Sequence, residues 1–335
     1  MPDRPAALFA MHPQHLAEIF PPATMTRLQH LVNIDTALVA HDFASPAVTD
    51  ALAEAEILIT GWGCPRLDEK VLAAAPGLRA VLHAAGSVRG LVTDACWERG
   101  LVVSSAAQAN ALPVAEYTLA MILLAGKGVF SLNRRYRYES AYPPVRDLRD
   151  LGNNGRAVGI IGASRIGRRV LELLRPFDLR PLLFDPYADE AQAAALGARL
   201  VSLEELLIAS DIVSVHAPDV PATRGMLSGE RLALIRDGGV VINTSRGSLI
   251  DQQALTRELL SGRLTAVLDV TEPEPLPTGS ELHDLPNVFL TPHIAGSVGN
   301  ELERLGSTVV DEVEQLVAGR PLRQQVLPAD LVRVA

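Results

Sequence analysis

The sequence predicts an α/β protein whose larger part is a doubly wound parallel sheet, with a smaller α/β domain beside it. Three observations predict it. An apolar run at Ala157, Val158, Ile160 and Ile161 leads straight into a glycine-bearing turn and a helical pattern, RAVGIIGASRIGRR over 156–169. Short apolar runs alternate with helical patterns along most of the chain, the pattern of helices packed on a parallel sheet. The length, 335 residues, exceeds what one core usually serves, so two domains are expected.

In chain order, residues 6–10, 56–60, 79–83 and 101–103 read as strands, and 15–20, 24–31, 68–74 and 93–99 as helices. Two loops at strand ends, Gly61-Trp62-Gly63 and Ala84-Ala85-Gly86-Ser87, place flexible backbone where open α/β sheets bind ligands. For the first, a glycine turn with no ligand is an equal reading. A long helix is expected over 110–125, with Pro113 in its first turn, where proline is tolerated. Residues 126–154 are poorer in apolar side chains and carry Pro143-Pro144 and Gly152-Asn153-Asn154, which suits a helix followed by a surface connection. The basic-aromatic segment Arg134–Tyr138 reads as a solvated helix face or subunit contact rather than a phosphate patch.

From Arg156 the alternation becomes regular. Strands are expected at 157–161, 181–184, 212–215, 240–243, 265–268 and 288–290, separated by helices at 166–175, 189–196, 203–209, 229–235 and 251–261. Right-handed crossovers among six such strands predict the order 3-2-1-4-5-6. A last helix over 300–319 is expected to return to the first domain. The expected division is therefore a discontinuous domain, 1–107 with 296–335, around a second domain, 108–295.

Composition narrows the function classes. A hydrophobic content of 48% with 21% charged residues is ordinary for a globular chain. A net charge of −9 and an isoelectric point near 5.4 supply no electrostatic reason to bind nucleic acid or an anionic membrane. Cys64 and Cys96 form neither a metal spacing nor a disulfide framework, which fits a reduced cytoplasm. The N-terminus lacks the basic flank and apolar centre of a signal peptide, and the apolar stretch 112–125, interrupted by Glu116, reads as too short to span a bilayer. No metal is expected.

Strand, glycine turn and helix in succession form the setting in which helix N–H groups and the positive end of the helix dipole can meet a pyrophosphate. The fingerprint G-x-G-x-x-G is met at Gly162 and Gly167, with Ser164 in place of the middle glycine. Asp185 ends the next apolar run, 18 residues beyond Gly167, where an acid can accept hydrogen bonds from ribose hydroxyls. The last three strands of the predicted sheet are neighbours. Beyond their C-terminal ends come Thr244-Ser245-Arg246-Gly247, then Asp269 and Glu274, then Pro292-His293. An arginine can hold a carboxylate in bidentate fashion and polarise a ketone. A histidine can give a proton to the oxygen as charge develops, and an adjacent carboxylate can fix the ring's orientation.

The stretches GIIGASRIGRRV, LIRDGGVVINTSRGSLIDQQAL, AVLDVTEPEPLP and NVFLTPHIAG, with the weaker NALPVAE at 110–116, resemble the D-isomer-specific 2-hydroxyacid dehydrogenases. The resemblance runs over most of 80–315 and is most specific around Arg246 and His293. It implies a Rossmann-type cofactor domain and a smaller flavodoxin-like domain, with a hinge that closes a cleft. It implies NAD as cofactor, a small 2-oxo or 2-hydroxy acid as substrate, and a homodimer joined through the cofactor domains. By the same resemblance Arg246 binds substrate, Glu274 partners the histidine and His293 is the acid/base. Gly162, Ser164, Arg165, Ile166, Gly167, Asp185, Ala217, Thr223, Thr244, Ser245 and Asp269 would contact the cofactor. The backbone of Ala85, Gly86 and Ser87 would hold the substrate carboxylate.

Three departures accompany it. Ser164 replaces a glycine that lets backbone approach the pyrophosphate, so its Cβ should crowd the site or its hydroxyl replace a contact. The substrate loop reads Ala-Ala-Gly-Ser-Val-Arg-Gly rather than Gly-x-Gly-x-Asp, and its Arg89 could bind a second acidic group or be a surface residue. The chain is expected to lack a C-terminal regulatory domain. A phosphite- or formate-type dehydrogenase and a nonenzymatic NAD-binding corepressor share the scaffold, with Glu274 speaking against the formate enzyme. Asp185 should repel a 2′-phosphate, favouring NAD(H) over NADP(H).

Overall fold

All ten runs read as strands form strands. In the computed structural model the described residues are 4–140 and 142–332; the chain ends of the expected first domain and residue 141 of the expected connection lie outside them. Among the described residues the strands are β1 (Ala6–Ala10), β2 (Asn33–Ala40), β3 (Ile57–Thr60), β4 (Ala80–His83), β5 (Val102–Ser105), β6 (Arg156–Ile161), β7 (Leu179–Phe184), β8 (Arg199–Leu200), β9 (Ile212–Val215), β10 (Val240–Asn243), β11 (Thr265–Leu268), β12 (Val288–Leu290) and β13 (Gln325–Val326). The chain divides into two units, Met1–Ala111 with Ser297–Ala335, and Leu112–Gly296.

The first unit holds a six-stranded sheet of order β13-β5-β4-β3-β1-β2, parallel except for β13. Its five parallel strands follow the 2-1-3-4-5 winding of flavodoxin-like sheets. Alternate residues feed cores on opposite faces: Leu8, Leu58 and Val81 on one, Phe9, Ile59 and Leu82 on the other. The helix Leu302–Val317 completes the second face. It buries Leu305, Val309, Val310 and Val313, a stripe at helical spacing, and packs on the helices Leu16–Ile19 and Pro22–Leu31. Three elements of this unit were not legible in the sequence. β2 is an edge strand whose outward positions Asn33, Asp35 and Ala37 are exposed, so it shows no apolar run. The helix Pro46–Glu54 buries only Val48 and Leu52. β13 is two residues long and exists because the returning chain pairs with β5.

The second unit holds seven parallel strands in the order β12-β11-β10-β9-β6-β7-β8. This corrects the predicted order. Residues 212–215, expected as the third strand at one edge, instead lie between β6 and β10. The third position belongs to β8, an Arg-Leu pair too short and too polar to read as an apolar run. The neighbourhood of β10, β11 and β12 is unaffected.

The long apolar helix also differs from expectation. It runs from Ala107 to Gly126, 20 residues, with Pro113 in its interior rather than its first turn. By length and composition alone that is enough to cross a bilayer, contrary to the shorter stretch read from the sequence; half of the most apolar window is buried, with Ala115 and Ile122 fully enclosed in the second unit's core. The helix Val129–Glu139 carries the basic-aromatic segment and buries none of its residues.

Candidate active site

The turn after β6 is built around close backbone approaches. Gly162 has φ +101°, a left-handed conformation that glycine alone adopts freely, and a Cβ there would lie 2.9 Å from the His216 and Ala217 backbone. A Cβ on Gly167 would lie 2.0 Å from the Gly162 carbonyl oxygen. These two glycines therefore let the helix Arg165–Leu174 start directly against β6 and β9. Ser164 caps that helix: its hydroxyl accepts from the Gly167 N–H at 3.2 Å. The serine that departs from the fingerprint is thus spent on the helix end. Among the described residues, the N–H groups of Arg165 and Ile166 meet no protein acceptor, the pair of open donors a phosphate requires.

Asp185 follows β7 directly and is half-buried. One carboxylate oxygen accepts from the Ala163 N–H at 2.6 Å, the other from the Tyr187 N–H at 2.8 Å. It therefore ties the glycine turn to its own loop and keeps lone pairs for further donors. Beneath the turn, His216 is fully enclosed. Its Nε2 lies 2.9 Å from the Ser214 hydroxyl, its Nδ1 has no partner among the described residues, and burial pushes the ring down to about 3. Ala217 beside it is buried, while the Thr223 hydroxyl is engaged by Pro218 and Val220 within its own loop. Open helix donors, a left-handed glycine and an acid at the next strand end make this turn fit a dinucleotide.

At the other end of the sheet, Arg246, Asp269 and His293 leave the C-terminal ends of β10, β11 and β12, which pair in register Asn243–Leu268 and Leu268–Leu290. Asp269, 2% exposed, organises the histidine loop. Its carboxylate accepts from the Thr291 hydroxyl at 2.6 Å, the Ile294 N–H at 2.8 Å and the Ala295 N–H at 3.0 Å, and its carbonyl accepts from the His293 N–H at 3.0 Å. Within that loop His293 has φ +56°, a left-handed conformation uncommon for residues other than glycine. Such conformations persist where surrounding bonds over-determine them. The His293 ring remains half-exposed, and its Nδ1 lies 2.7 Å from the Glu274 Oε1. Nε2 is left facing away from that carboxylate.

Gly247 brings the arginine strand end to the Glu274 loop. A Cβ at Gly247 would lie 2.1 Å from the Thr271 backbone, so only glycine lets the two loops meet. Asn243, buried at the end of β10, accepts from the Ser245 N–H at 3.0 Å and donates to the Arg246 carbonyl at 2.9 Å. Arg246 itself donates to the Ser245 carbonyl through one guanidinium nitrogen at 2.7 Å. Ser245 is fixed by the Val215 carbonyl, and Thr244 by the Thr118 hydroxyl at 3.0 Å. Tyr117, next in the helix, meets the Thr291 hydroxyl at 2.7 Å; burial raises its phenol. Tyr117, Thr118, Asn243 and Thr291 escaped the sequence reading. Their one signal was polarity inside apolar segments.

In the first unit, β4 ends in the loop that carries Ala85, Gly86 and Ser87. The Ala84 N–H donates to the Thr60 carbonyl at 2.7 Å and the Ala106 N–H to the His83 carbonyl at 2.9 Å. Beyond that anchored root, among the described residues, the N–H groups of Ala85, Gly86, Ser87 and Val88 meet no acceptor, although Ala85 and Val88 are buried. Buried amides without partners are uncommon, and these are open to an acceptor from a ligand. The Arg89 guanidinium donates to the Leu331 carbonyl, which gives it a structural contact.

The family model for the NAD-binding domain of D-isomer-specific 2-hydroxyacid dehydrogenases matches residues 119–295, more than half of the chain. The chain belongs to this family. It is similar to the D-3-phosphoglycerate dehydrogenase of Mycobacterium tuberculosis, 34% identical over 274 residues that make up 80% of this chain and 50% of the relative. The Bacillus subtilis D-3-phosphoglycerate dehydrogenase is 32% identical over 75% of this chain and 48% of its own length. The chain thus spans about half the length of these curated relatives. Among solved structures, the TT0316 protein of Thermus thermophilus superposes with TM-score 0.77 at 29% identity, covering 96% of this chain and 99% of that one. A phosphoglycerate oxidoreductase from Rhizobium etli superposes with TM-score 0.81 at 25% identity, covering 97% and 99%. As a member of the family, the chain carries an NAD-binding domain.

Proposed function

We propose that this chain is an NAD-dependent oxidoreductase that moves a hydride between nicotinamide and a D-2-hydroxy acid or its 2-oxo acid. The observation that carries the reading is the 2.7 Å pair of His293 Nδ1 and Glu274 Oε1, on the rim that also bears Arg246. NAD(H), when bound, supplies or accepts the hydride. The chain's own groups do the rest. Glu274 holds His293 so that Nε2 is the free nitrogen; Nε2–H gives its proton to the carbonyl oxygen in reduction and takes it back in oxidation. The Arg246 guanidinium pairs with the substrate carboxylate and stabilises charge growing on the oxygen. The open amides of Ala85, Gly86 and Ser87 donate to that carboxylate as well. Gly162, Ser164, Arg165, Ile166, Gly167, Asp185, Ala217, Thr223, Thr244, Ser245 and Asp269 make up the cofactor's surroundings, with Asp185 favouring NAD(H). In this reading residues 108–295 bind the dinucleotide, 1–107 with 296–335 bind substrate, and the protein is a cytoplasmic homodimer.

The test is a screen of NADH oxidation with glyoxylate, pyruvate, hydroxypyruvate, phenylpyruvate and 2-oxoisocaproate, and of NAD reduction with D-3-phosphoglycerate. Turnover of at least one compound, faster with NADH than NADPH, is expected. NADH binding without turnover of any of them would make the chain a binding protein instead.

A further inference from the structure

The four open amides at 85–88 have no helix behind them, so something else must keep them from folding onto nearby carbonyls. The residue at their root is His83, the last of the strand Ala-Val-Leu-His, opposite Thr60 in register on β3. Both side chains are enclosed, Thr60 at 0% and His83 at 5% exposure, and the His83 Nδ1 lies 2.9 Å from the Thr60 hydroxyl oxygen. The ring also interacts with the Ser87 backbone, four residues further along the loop. An imidazole in an otherwise apolar strand end is costly to bury unless its nitrogens are used, and a leucine would fill the space without that cost. Thr60 supplies, through its carbonyl, the bond that anchors Ala84, and through its hydroxyl the partner of the ring.

We propose that His83 is the positioning residue of the carboxylate loop: its ring, pinned by the Thr60 hydroxyl at the loop's root, holds residues 85–88 with their N–H groups open. The assignment rests on the reading of Ala85–Ser87 as the substrate-carboxylate site. It adds a residue that touches neither substrate nor cofactor. Burial keeps this ring neutral, pushing it down to about 4, with the Ser87 backbone acting in the opposite sense. A neutral ring is what the arrangement needs, because it can accept from the Thr60 hydroxyl through Nδ1 and donate through Nε2. On the loop's far side Gly86 leaves room for Asn110, whose Nδ2 would lie 3.3 Å from a Cβ there and whose Oδ1 accepts from the Ser297 N–H at 2.9 Å.

The experiment compares Thr60→Val, Thr60→Ser and His83→Leu with the wild-type chain, using the 2-oxo acid it turns over fastest. Removing the buried hydrogen bond should raise KM for the acid about tenfold in Thr60→Val and by more in His83→Leu. kcat should stay within about twofold and NADH affinity should be unchanged, since the carboxylate is held equally in the ground state and the transition state. Thr60→Ser keeps the hydroxyl and should restore the wild-type KM. A folded Thr60→Val with wild-type KM overturns the proposal, as does a loss of KM, kcat and NADH affinity in equal proportion, which marks general destabilisation. Should His83→Leu fail to fold, the two Thr60 variants decide. Should the wild type turn over no 2-oxo acid, the parent reading fails by itself, and amide exchange decides this one. Exchange over 84–92 faster in Thr60→Val than in Thr60→Ser upholds the strut, and equal exchange removes it.

Discussion

The C-terminal rims of the two sheets solve the same problem by different means. Among the described residues both present backbone donors without protein acceptors, Arg165 and Ile166 in the second unit and residues 85–88 in the first. In the second unit a helix stands behind the donors, so the peptide dipoles orient them and Gly162 and Gly167 suffice to bring helix and strands together. In the first unit, among the described residues, there is no such helix, and the loop leans on the buried side chains Thr60 and His83. Where helix dipoles orient the donors, the requirement on sequence is for small residues. Where a bare loop does so, it is for buried polar ones.

The histidines sharpen the contrast. His83 and His216 are enclosed and kept neutral by desolvation, whereas His293 is half-exposed and faces a carboxylate. His293→Gln should show the largest effect in the molecule, a fall in kcat of about 10³-fold with NADH affinity retained; steady-state rates and fluorescence titration of NADH check both halves, and an unchanged rate would erase the distinction between these histidines. Gly167→Ala should come next. A Cβ 2.0 Å from a backbone oxygen forces helix and strand apart, with a stability loss of about 3 kcal/mol or more measurable by urea denaturation. Arg246→Lys should lower kcat/KM by about 10²-fold without altering the denaturation midpoint, because an ammonium cannot reproduce the planar fork.

The buried histidines set the acid side of stability. Unfolded, each titrates near 6.5; folded, they titrate near 4 and 3. The unfolded chain therefore binds more protons below pH 6.5, so stability falls as pH drops from there toward 4 for His83 and 3 for His216. The loss should reach about 2 kcal/mol per histidine at pH 5, read as a Tm that declines between pH 7 and pH 5. A flat Tm over that range would mean these rings are not held neutral. The smallest effect belongs to Ser164→Gly. Losing the cap costs a few tenths of a kcal/mol, while freeing the Gly167 N–H and removing a Cβ should tighten NADH binding about threefold; weaker binding would show that the serine hydroxyl itself serves the cofactor.

How much of this was legible in advance depended on chain separation. The glycine turn, its helix and Asp185 lie within 24 residues, and local patterning was enough to read them. Arg246, Glu274 and His293 could be proposed as neighbours because each follows an apolar run in a sheet whose winding has one hand. The strand order itself was misjudged by one place, since β8 is a two-residue edge strand with no apolar signature. The interior position of Pro113 follows from a helix that starts at Ala107, three residues before the expected start at 110.

Alternating apolar runs, a glycine turn and three polar strand ends were enough, by themselves, to specify two α/β units and the residues worth suspecting, because periodicity and turn chemistry are local properties. Tertiary structure alone decided which of these residues are braced and by what. Asp269 gathers three donors, Gly247 meets Thr271, and Thr60 meets His83 across partners 22 to 26, 24 and 23 residues apart. Those contacts form only when strands separated in sequence are set side by side, and no local pattern records them.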